Sequence, residues 1–251
     1  MPTLAGDAAD NDPYESTNRK LYRVSDAVDK AVIHPVANGY RKVATSGFRD
    51  HLHNLLANLG GPPQFTNDVL QGKPRKAGDS FMRLLINTTV GVGGVFDVAS
   101  GWGYPEHSTD FGLTLAVWGV PSGPYLFLPV LGPSDPRDGI AYGVNSIFTP
   151  LTWVSFGGSS TLGYARFGVG AVDSRARLIV DTDTIQKTAL DPYATFRSLY
   201  QQHREAEIEN ARRDLPATVP AWYAGRSPAW PAVYVPPNPA PKIAPPASLS
   251  P

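Results

Sequence analysis

The chain has 251 residues, a formal net charge of zero and no cysteine. This length is enough for one medium domain with a hydrophobic core. The balanced charge gives no electrostatic signature of nucleic-acid binding and no polybasic tract for anionic lipid. The absence of cysteine excludes disulfides, thiolate metal sites and thiol catalysis.

Both ends of the chain differ from its body. Residues 1–10 form a short N-terminal extension without the basic start, apolar stretch and cleavage site of an export signal. We therefore expect neither a signal peptide nor a lipid-attachment cysteine here. A cytoplasmic protein and an exported protein from which the signal was removed both stay open. Residues 214–251 are rich in proline and alanine and have no apolar periodicity, which predicts an extended, disordered tail.

The body, residues 11–213, is predicted to be one mainly α-helical domain. Asp12-Pro13-Tyr14-Glu15 has the pattern of a capping box with proline at the first helical position. Asp135-Pro136-Arg137-Asp138 repeats this pattern, and Asp191-Pro192 repeats its first half. The charged run from His203 to Asp214 predicts a solvated helix end. No pair of period-two runs is joined by a hairpin turn, so little strand is expected.

Apolar stripes predict three further helices early in the body. One stripe runs from Phe48 to Leu59 at helical spacing, and the helix is expected to end at Gly60-Gly61-Pro62-Pro63. A short helix follows and stops at Gly72, and Pro74 opens the next. The residues expected on one face of that helix are Phe81, Leu84, Leu85 and Thr88.

The middle of the chain is poor in charge. Between Phe111 and Ala165 the charged residues are Asp135, Arg137 and Asp138. Glycine and proline interrupt this region too often for a bilayer-crossing helix, which needs about 20 continuous apolar residues. We interpret it as short amphipathic helices and loops in one membrane leaflet. The candidate interface anchors are Trp102, Trp118 and Trp153. Burial inside a soluble domain would give the same composition, and this alternative stays open.

A series of short motifs runs through the body. In chain order they are Asn11-Asp12-Pro13-Tyr14-Glu15, Asn18-Arg19, Tyr22, Asn58-Leu59, Pro62-Pro63, Asn67, Leu70-Gln71-Gly72, Arg83, Asn87-Thr88, Gly91, Gly94, Asp97, Asp110-Phe111-Gly112, Thr114-Leu115, Gly119, Gly123-Pro124-Tyr125, Leu128-Pro129, Gly132-Pro133-Ser134, Arg137-Asp138, Arg175-Ala176, Asp191-Pro192-Tyr193, Arg197 and Tyr200. Each motif is weak alone. In this order, over roughly residues 11 to 203, they resemble the MlaA (VacJ) family of outer-membrane lipoproteins.

The resemblance implies a ring-shaped assembly of amphipathic helices lodged in one membrane leaflet, with a central amphipathic channel. It also implies removal of mislocalised phospholipid from the outer leaflet of the outer membrane and its transfer to a periplasmic phospholipid-carrier protein. The implied protein is not an enzyme, needs no cofactor, lies in the inner leaflet at the periplasmic face of a Gram-negative outer membrane, and associates with a trimeric porin. Family members usually carry an acylated cysteine after a signal peptide, and this chain departs from that pattern.

Two groups of candidate site residues follow from these observations. We hypothesise that the uncharged stretch from Gly119 to Ser134 is a mobile gating loop at the channel, with a fixed core loop as the alternative. Its candidate residues are Gly119, Gly123, Pro124, Tyr125, Phe127, Leu128 and Pro129. A structural role is expected for the family signature: Asn58, Pro62, Asn67, Gln71, Gly72, Arg83, Asn87, Asp97, Gly112, Arg137 and Asp138. Arg83, Asp97 and Asp138 are interpreted as ion-paired scaffold residues, with direct lipid contact as the alternative.

Motifs for metal binding or catalysis are weak. His51 and His53 are two residues apart and would point away from each other on a helix, so no shared metal is expected. The chain has no Gly-x-Ser-x-Gly motif of a lipase, and Gly91-Val92-Gly93-Gly94 lacks the spacing of a dinucleotide-binding loop. Lipid transport is the leading function. A membrane-bound adaptor that binds porin without conducting lipid and a phospholipase are the alternatives.

Overall fold

The computed structural model describes residues 11–149, 152 and 159–213, and it is mainly helical, as predicted. The helices are α1 (Glu15–Val28), α2 (His34–Val43), α3 (Ser46–Leu59), α4 (Gly61–Leu70), α5 (Pro74–Thr89), α6 (Val98–Gly101), α7 (Phe111–Val117), α8 (Pro136–Ile147), α9 (Ser159–Arg177), α10 (Ile179–Thr188) and α11 (Pro192–Arg212). A π-helical turn, Asp29–Ile33, joins α1 to α2. The expected N-terminal extension, the expected tail and Trp153 lie outside the described residues.

Two of the three Asp-Pro pairs cap helices as predicted. The Asp135 side chain accepts a hydrogen bond from the amide of Asp138 at 2.8 Å at the start of α8. Asp191 accepts one from the amide of Ala194 at 3.2 Å at the start of α11. Such caps satisfy amides that have no partner within the helix.

The capping box predicted at Asp12 is wrong. Helix α1 begins at Glu15 without a side-chain cap. The Asp12 carboxylate accepts hydrogen bonds from Asn18 in α1 at 2.8 Å, and from Tyr193 at 2.5 Å and Arg197 at 2.8 Å in α11. A charged guanidinium is a stronger donor than a backbone amide, so the carboxylate joins α1 to α11 instead of capping a helix.

The apolar stripes lie on helices, but several of their residues face outward. Gly72, at φ +70°, follows the end of α4, and Pro74 opens α5 as predicted. On α5, Phe81 and Leu85 are 50% and 47% exposed. The residues buried on the same helix include Asp79, Ser80 and Asn87. The face of α5 that packs against the protein therefore carries these polar side chains beside Ala77 and Ile86.

The same pattern, with polar side chains buried and large apolar side chains exposed, holds across the described residues. The largest side chains with almost no exposure are Tyr125, Asn18, Asn67, Thr114, Asp68, Asp173 and Ser134. Half of the buried apolar residues are alanines, and two small clusters lie around Ile86 and around Tyr125. A protein folded in water normally buries its large aliphatic side chains and exposes its charges. This molecule buries hydrogen-bonded polar groups and leaves large apolar groups outside.

The low-charge region contains a short β-hairpin that was not predicted. Strands β1 (Leu126–Leu128) and β2 (Gly132–Ser134) pair antiparallel, with Phe127 opposite Pro133. Each strand has three residues, too few for a period-two pattern to appear in the sequence. Asn18 holds the hairpin to α1, because it donates to the Tyr125 carbonyl at 3.1 Å and accepts from the Phe127 amide at 3.0 Å.

Ion pairs join the first helices to the last ones. Arg19 in α1 donates to both oxygens of Asp191, at 3.1 and 2.6 Å. Arg175 in α9 donates to both oxygens of Asp29 in the π-helical turn, at 2.9 Å each. Bidentate pairs of this kind fix orientation as well as distance. Helices from the two ends of the chain therefore surround a common space.

In the part of the chain that the structure describes, none of the helices combines the length and the apolarity needed to cross a bilayer.

Candidate functional site

A cavity of about 720 Å³ lies between the hairpin and the helices from both ends of the chain; we call it the main cavity. Its walls are largely apolar. The lining residues are Tyr22, Ser25, Asp26, Val28, Asp29, Ile33, Leu56, Phe127, Val130, Leu131, Gly132, Pro133, Arg166, Phe167, Gly170, Ala171, Ser174, Arg175, Leu178, Thr182, Gln186 and Phe196.

Most charges on this wall are neutralised by neighbours. Asp29 is held by Arg175, which also donates to Asp183 at 3.1 Å. Burial alone would lower the pKa of Arg175, but its two carboxylate partners outweigh burial and raise it. Asp26 accepts from Lys30 at 2.7 Å and from Gln186 at 3.0 Å. The main cavity therefore presents an apolar wall with paired charges along one side.

The tip of the hairpin closes one side of the main cavity. Val130, at φ +68°, adopts a left-handed conformation that is unfavourable for a β-branched residue. Its amide donates to the Ser25 hydroxyl in α1 at 3.2 Å. Val130 and Leu131 are exposed in part and line the main cavity. Both lie within the predicted loop from Gly119 to Ser134, although neither was named among its candidate site residues.

The residues predicted for the gating loop divide between two spaces. Phe127 lines the main cavity, whereas Gly119, Gly123 and Tyr125 line a second cleft of about 430 Å³ beside α11. Tyr125 and Phe127 are buried and pack with Tyr193 in an aromatic cluster. Pro124, Leu128 and Pro129 line neither space. The structure thus anchors the two ends of this loop differently, and its motion stays a prediction.

A buried ion-pair network lies beside the second cleft. Arg204 in α11 donates to Asp110 at 2.8 and 2.9 Å and to Asp138 at 2.8 Å. Burial alone would raise the pKa of Asp110, but the hydrogen bonds and charge of Arg204 outweigh burial and lower it. A β-carbon at Gly112 would collide with the carboxylate of Asp138 and the guanidinium of Arg204, so any larger residue there would have to displace this ion pair.

The sequence did not reveal this role of Arg204. It lies within the charged run from His203 onward, which was predicted to be solvated, and for Arg204 that prediction is wrong. Its partners lie 66 and 94 residues away in the chain. One charged residue that is buried among exposed neighbours on a helix leaves no periodic signal.

Residues 10–207 match the family model described as "MlaA lipoprotein". A lipoprotein of Haemophilus influenzae, "Intermembrane phospholipid transport system lipoprotein MlaA", is 31% identical over 205 residues, which cover 80% of this chain and 81% of that protein.

This chain belongs to the MlaA lipoprotein family. An uncharacterised protein of Rickettsia bellii is 34% identical over 203 residues, covering 79% of this chain and 77% of that protein. A solved structure reported as "Structural basis for maintenance of bacterial outer membrane lipid asymmetry" matches with a TM-score of 0.70 and 28% identity, covering 78% of this chain and 98% of that one. The resemblance inferred from the ordered motifs is confirmed.

The polar residues of the MlaA motifs lie in hydrogen-bonded contacts between helices. Arg83 pairs with Asp97 at 3.2 Å, and Asn87 donates to Asp97 at 3.0 Å. Hydrogen bonds to Ser100 and Asn87 outweigh the burial of Asp97 and lower its pKa. Three further motif residues are joined to other elements: Asn58 to Thr88 and Gly93, Asn67 to Thr114 and Asn145, and Gln71 to Thr109 and Thr114. Arg137 pairs within its own helix start, with Asp135 and Asp138.

Two remaining motif residues shape the backbone: Pro62 lies in the first turn of α4, and Gly72 takes the left-handed conformation after it.

The two described tryptophans of the predicted interface anchors are half-exposed. Trp102 is 51% and Trp118 is 54% exposed. The indole of Trp118 donates to the Leu70 carbonyl at 3.1 Å, so the ring is held in place while one side stays outside. Amphipathic rings in this arrangement suit a membrane–water interface.

A serine, a histidine and an aspartate meet in this MlaA-family fold, but not as a nucleophilic triad. Ser80 donates to an Asp68 oxygen at 2.5 Å, and His107 Nε2 lies 2.9 Å from that same oxygen. A triad needs the histidine to contact the serine and the aspartate through different ring nitrogens. Here Ser80 also lies 3.3 Å from Nε2. The arrangement is that of a buried polar contact.

The two histidines considered for metal binding have separate partners. His51 Nδ1 lies 3.1 Å from the Val95 carbonyl, and His53 Nδ1 lies 3.0 Å from Asp173. Within the described ranges, histidine, aspartate and glutamate side chains form no group of three suited to a metal ion.

Proposed function

We propose that this protein takes up phospholipid that is misplaced in the outer leaflet of a bacterial outer membrane and passes it towards the periplasm, without changing it chemically. The observation that carries the proposal is the combination of an apolar exterior with an apolar cavity inside a polar, hydrogen-bonded scaffold. The names of the relatives in the MlaA family, which refer to phospholipid transport and lipid asymmetry, support it.

The exterior suits the hydrocarbon of one leaflet. Large apolar side chains with substantial exposure occur on most helices; among them are Val24, Val32, Val36, Phe48, Phe81, Leu85, Ile140, Phe167, Val180 and Leu199. Each such side chain gains about 1.5–3 kcal/mol when it is fully removed from water. Contact with acyl chains would provide this gain, and the protein would rest in a leaflet without crossing the bilayer.

The main cavity suits acyl chains in transit. A phospholipid carries about 30 methylenes, and exposing them to water would cost roughly 25 kcal/mol at ~0.8 kcal/mol each. A route between leaflet and carrier must keep the tails against apolar groups. Phe127, Leu131, Phe167, Leu178 and Phe196 supply such a wall in the main cavity.

The proposal also includes a location in the membrane and two protein partners. The protein lies in the inner leaflet at the periplasmic face of the outer membrane, beside a trimeric porin, and delivers phospholipid to a periplasmic carrier protein. The family resemblance implies a ring with a central channel. In a protein of that shape, the main cavity would provide the route for the phospholipid. The joining of the first and last helices through Asp12 and Asp29 supports that shape.

We propose further that the hairpin tip opens and closes the main cavity. Val130 and Leu131 lie within the gating loop predicted from Gly119 to Ser134 and form its tip. The double variant Ser25→Cys with Val130→Cys would join the tip to α1 by the only disulfide available, because the chain has no cysteine of its own. We expect oxidation to reduce phospholipid transfer at least tenfold and reduction to restore it.

Transfer between labelled donor vesicles and acceptor vesicles, with this protein in detergent-free bilayers, measures that effect. The single variant Ser25→Cys under the same oxidant is the control, and mass spectrometry verifies the cross-link. If the cross-linked protein transfers lipid at the uncross-linked rate, the hairpin is a fixed wall.

The function itself is tested in cells by deleting the gene and measuring phospholipid in the outer leaflet. We expect outer-leaflet phospholipid to rise and a plasmid copy to restore it. Unchanged outer-leaflet phospholipid would refute transport. Porin binding that survives blockage of the main cavity, together with unchanged lipid, would favour the adaptor. Release of fatty acid from labelled lipid by the purified protein would favour the phospholipase.

A further inference from the structure

Arg166 in α9 is a partly buried cation on the wall of the main cavity. Its Nη2 lies 3.9 Å from the position that a β-carbon would take at Gly60, where α3 meets α4. Its guanidinium therefore reaches from α9 towards the corner of α3 and α4. Leu56 and Phe167 lie on the same wall, so the charge is surrounded by apolar groups.

Arg166 differs from the other inward arginines. Arg19, Arg175, Arg197 and Arg204 each have a carboxylate partner, and their pKa values are raised. Among the described residues Arg166 has neither an ion pair nor a hydrogen bond, and burial lowers its pKa. A guanidinium has five donors, and leaving them unused at an apolar wall is unfavourable. Within the part of the chain that the structure describes, the guanidinium of Arg166 is therefore available to an anionic ligand in the main cavity.

Building on the transport function proposed above, we infer that Arg166 binds the phosphate of the phospholipid while its acyl chains lie against the apolar wall of the main cavity. A guanidinium matches a phosphate in shape and charge, because two of its N–H groups can point at two phosphate oxygens. The carboxylates that face the main cavity, Asp26 and Asp29, are already paired. Arg166 is thus the unpaired charge that the described wall offers to an anion.

The residues beside Arg166 leave room for a head group. Gly170, Ala171 and Ser174 follow on the same face of α9 and also line the main cavity. A β-carbon at Gly170 would have no heavy atom within 4 Å. Small side chains next to the cation provide space in which a bulky phosphodiester can approach it. The same chemistry would accept a free phosphate ester, so the test must separate the two.

The test is a binding experiment on the full chain in detergent. Native mass spectrometry or quenching of a fluorescent lipid would compare phosphatidylglycerol with diacylglycerol, which has the same tails and no phosphate.

We expect wild type to prefer phosphatidylglycerol. Arg166→Gln should reduce the affinity for phosphatidylglycerol about tenfold or more and leave diacylglycerol binding unchanged. Arg166→Lys should recover part of the preference. Arg23→Gln removes an exposed α1 cation outside the main cavity and is the control.

The possible results separate the role of Arg166 from the transport function. If wild type binds neither lipid, the transport proposal and the role of Arg166 both fail. If wild type binds both lipids and Arg166→Gln keeps the same preference, transport stands and the role of Arg166 is refuted. If glycerol phosphate displaces phosphatidylglycerol at equal concentration, the site is one for soluble phosphate esters and the lipid assignment is overturned.

Discussion

Replacement of Gly170 by tryptophan is expected to abolish phospholipid transport while the fold is retained. Gly170 lies on helix α9 and lines the main cavity, and its β-carbon position has no heavy atom within 4 Å. A large ring at this position would fill the space that the acyl chains are proposed to use. Removing glycine from a helix interior stabilises the helix by up to about 1 kcal/mol, so unfolding is not the expected cause of any loss.

Gly168 provides a matched control on the same helix. It is exposed, it does not line the main cavity, and its β-carbon position is equally open. Two residues along a helix correspond to about 200° of rotation, so Gly168→Trp points to the opposite side. Vesicle transfer and thermal unfolding of both variants measure the effect. Normal transfer by Gly170→Trp, with the stability of wild type, would mean that lipid does not pass through the main cavity.

Replacement of Arg204 by methionine is expected to have the largest effect on stability. Methionine keeps part of the packing but leaves Asp138 buried and Asp110 without its cation. Removing one partner of a buried pair costs about 3–5 kcal/mol. The Asp110 carboxylate is partly exposed, so we expect a loss near 3 kcal/mol in urea unfolding. The control Arg213→Met removes an exposed pair with Glu209 and should change stability by less than about 1 kcal/mol.

The difference in stability between wild type and Arg204→Met should become smaller at low pH. The pKa of Asp110 is lowered in the folded state, so its pairing stabilises the protein above the unfolded value, about 3.9. That contribution is lost as the pH falls through the folded pKa. The difference in stability between wild type and Arg204→Met should therefore begin to shrink as the pH falls below about 4 and should continue to shrink at lower pH. An equal gap at pH 7 and pH 3 would show that Arg204 acts by packing alone.

Local signals in the sequence predicted much of the helical fold. Asp135 and Asp191 cap helices because an acidic side chain before a proline satisfies free amides, whatever surrounds the helix. A glycine at position 72 marks the end of a helix, because glycine adopts the left-handed conformation of that position at little energetic cost. The ordered motifs led to the correct family.

Tertiary contacts decided what the sequence did not reveal. Asp12 leaves its expected cap for partners in α11, and Arg204 is buried by carboxylates far away in the chain. The outward positions of Phe81 and Leu85 have a different reason. A helical stripe predicts a buried face only when the outside is water, and apolar groups face outward when the outside is hydrocarbon. Arg166 gave no signal because an unpaired cation is recognised only when its neighbours are known.

The proposed function requires contact between the outer surface of the folded protein and acyl chains. Variants that keep Trp102 or Trp118 as the single tryptophan, with the others replaced by phenylalanine, can be mixed with liposomes whose acyl chains carry bromine. We expect the protein to float with the liposomes and bromine to quench most of the tryptophan fluorescence. The proposed contact with acyl chains would be contradicted if the protein stays in the aqueous fraction without detergent and bromine leaves its fluorescence unchanged.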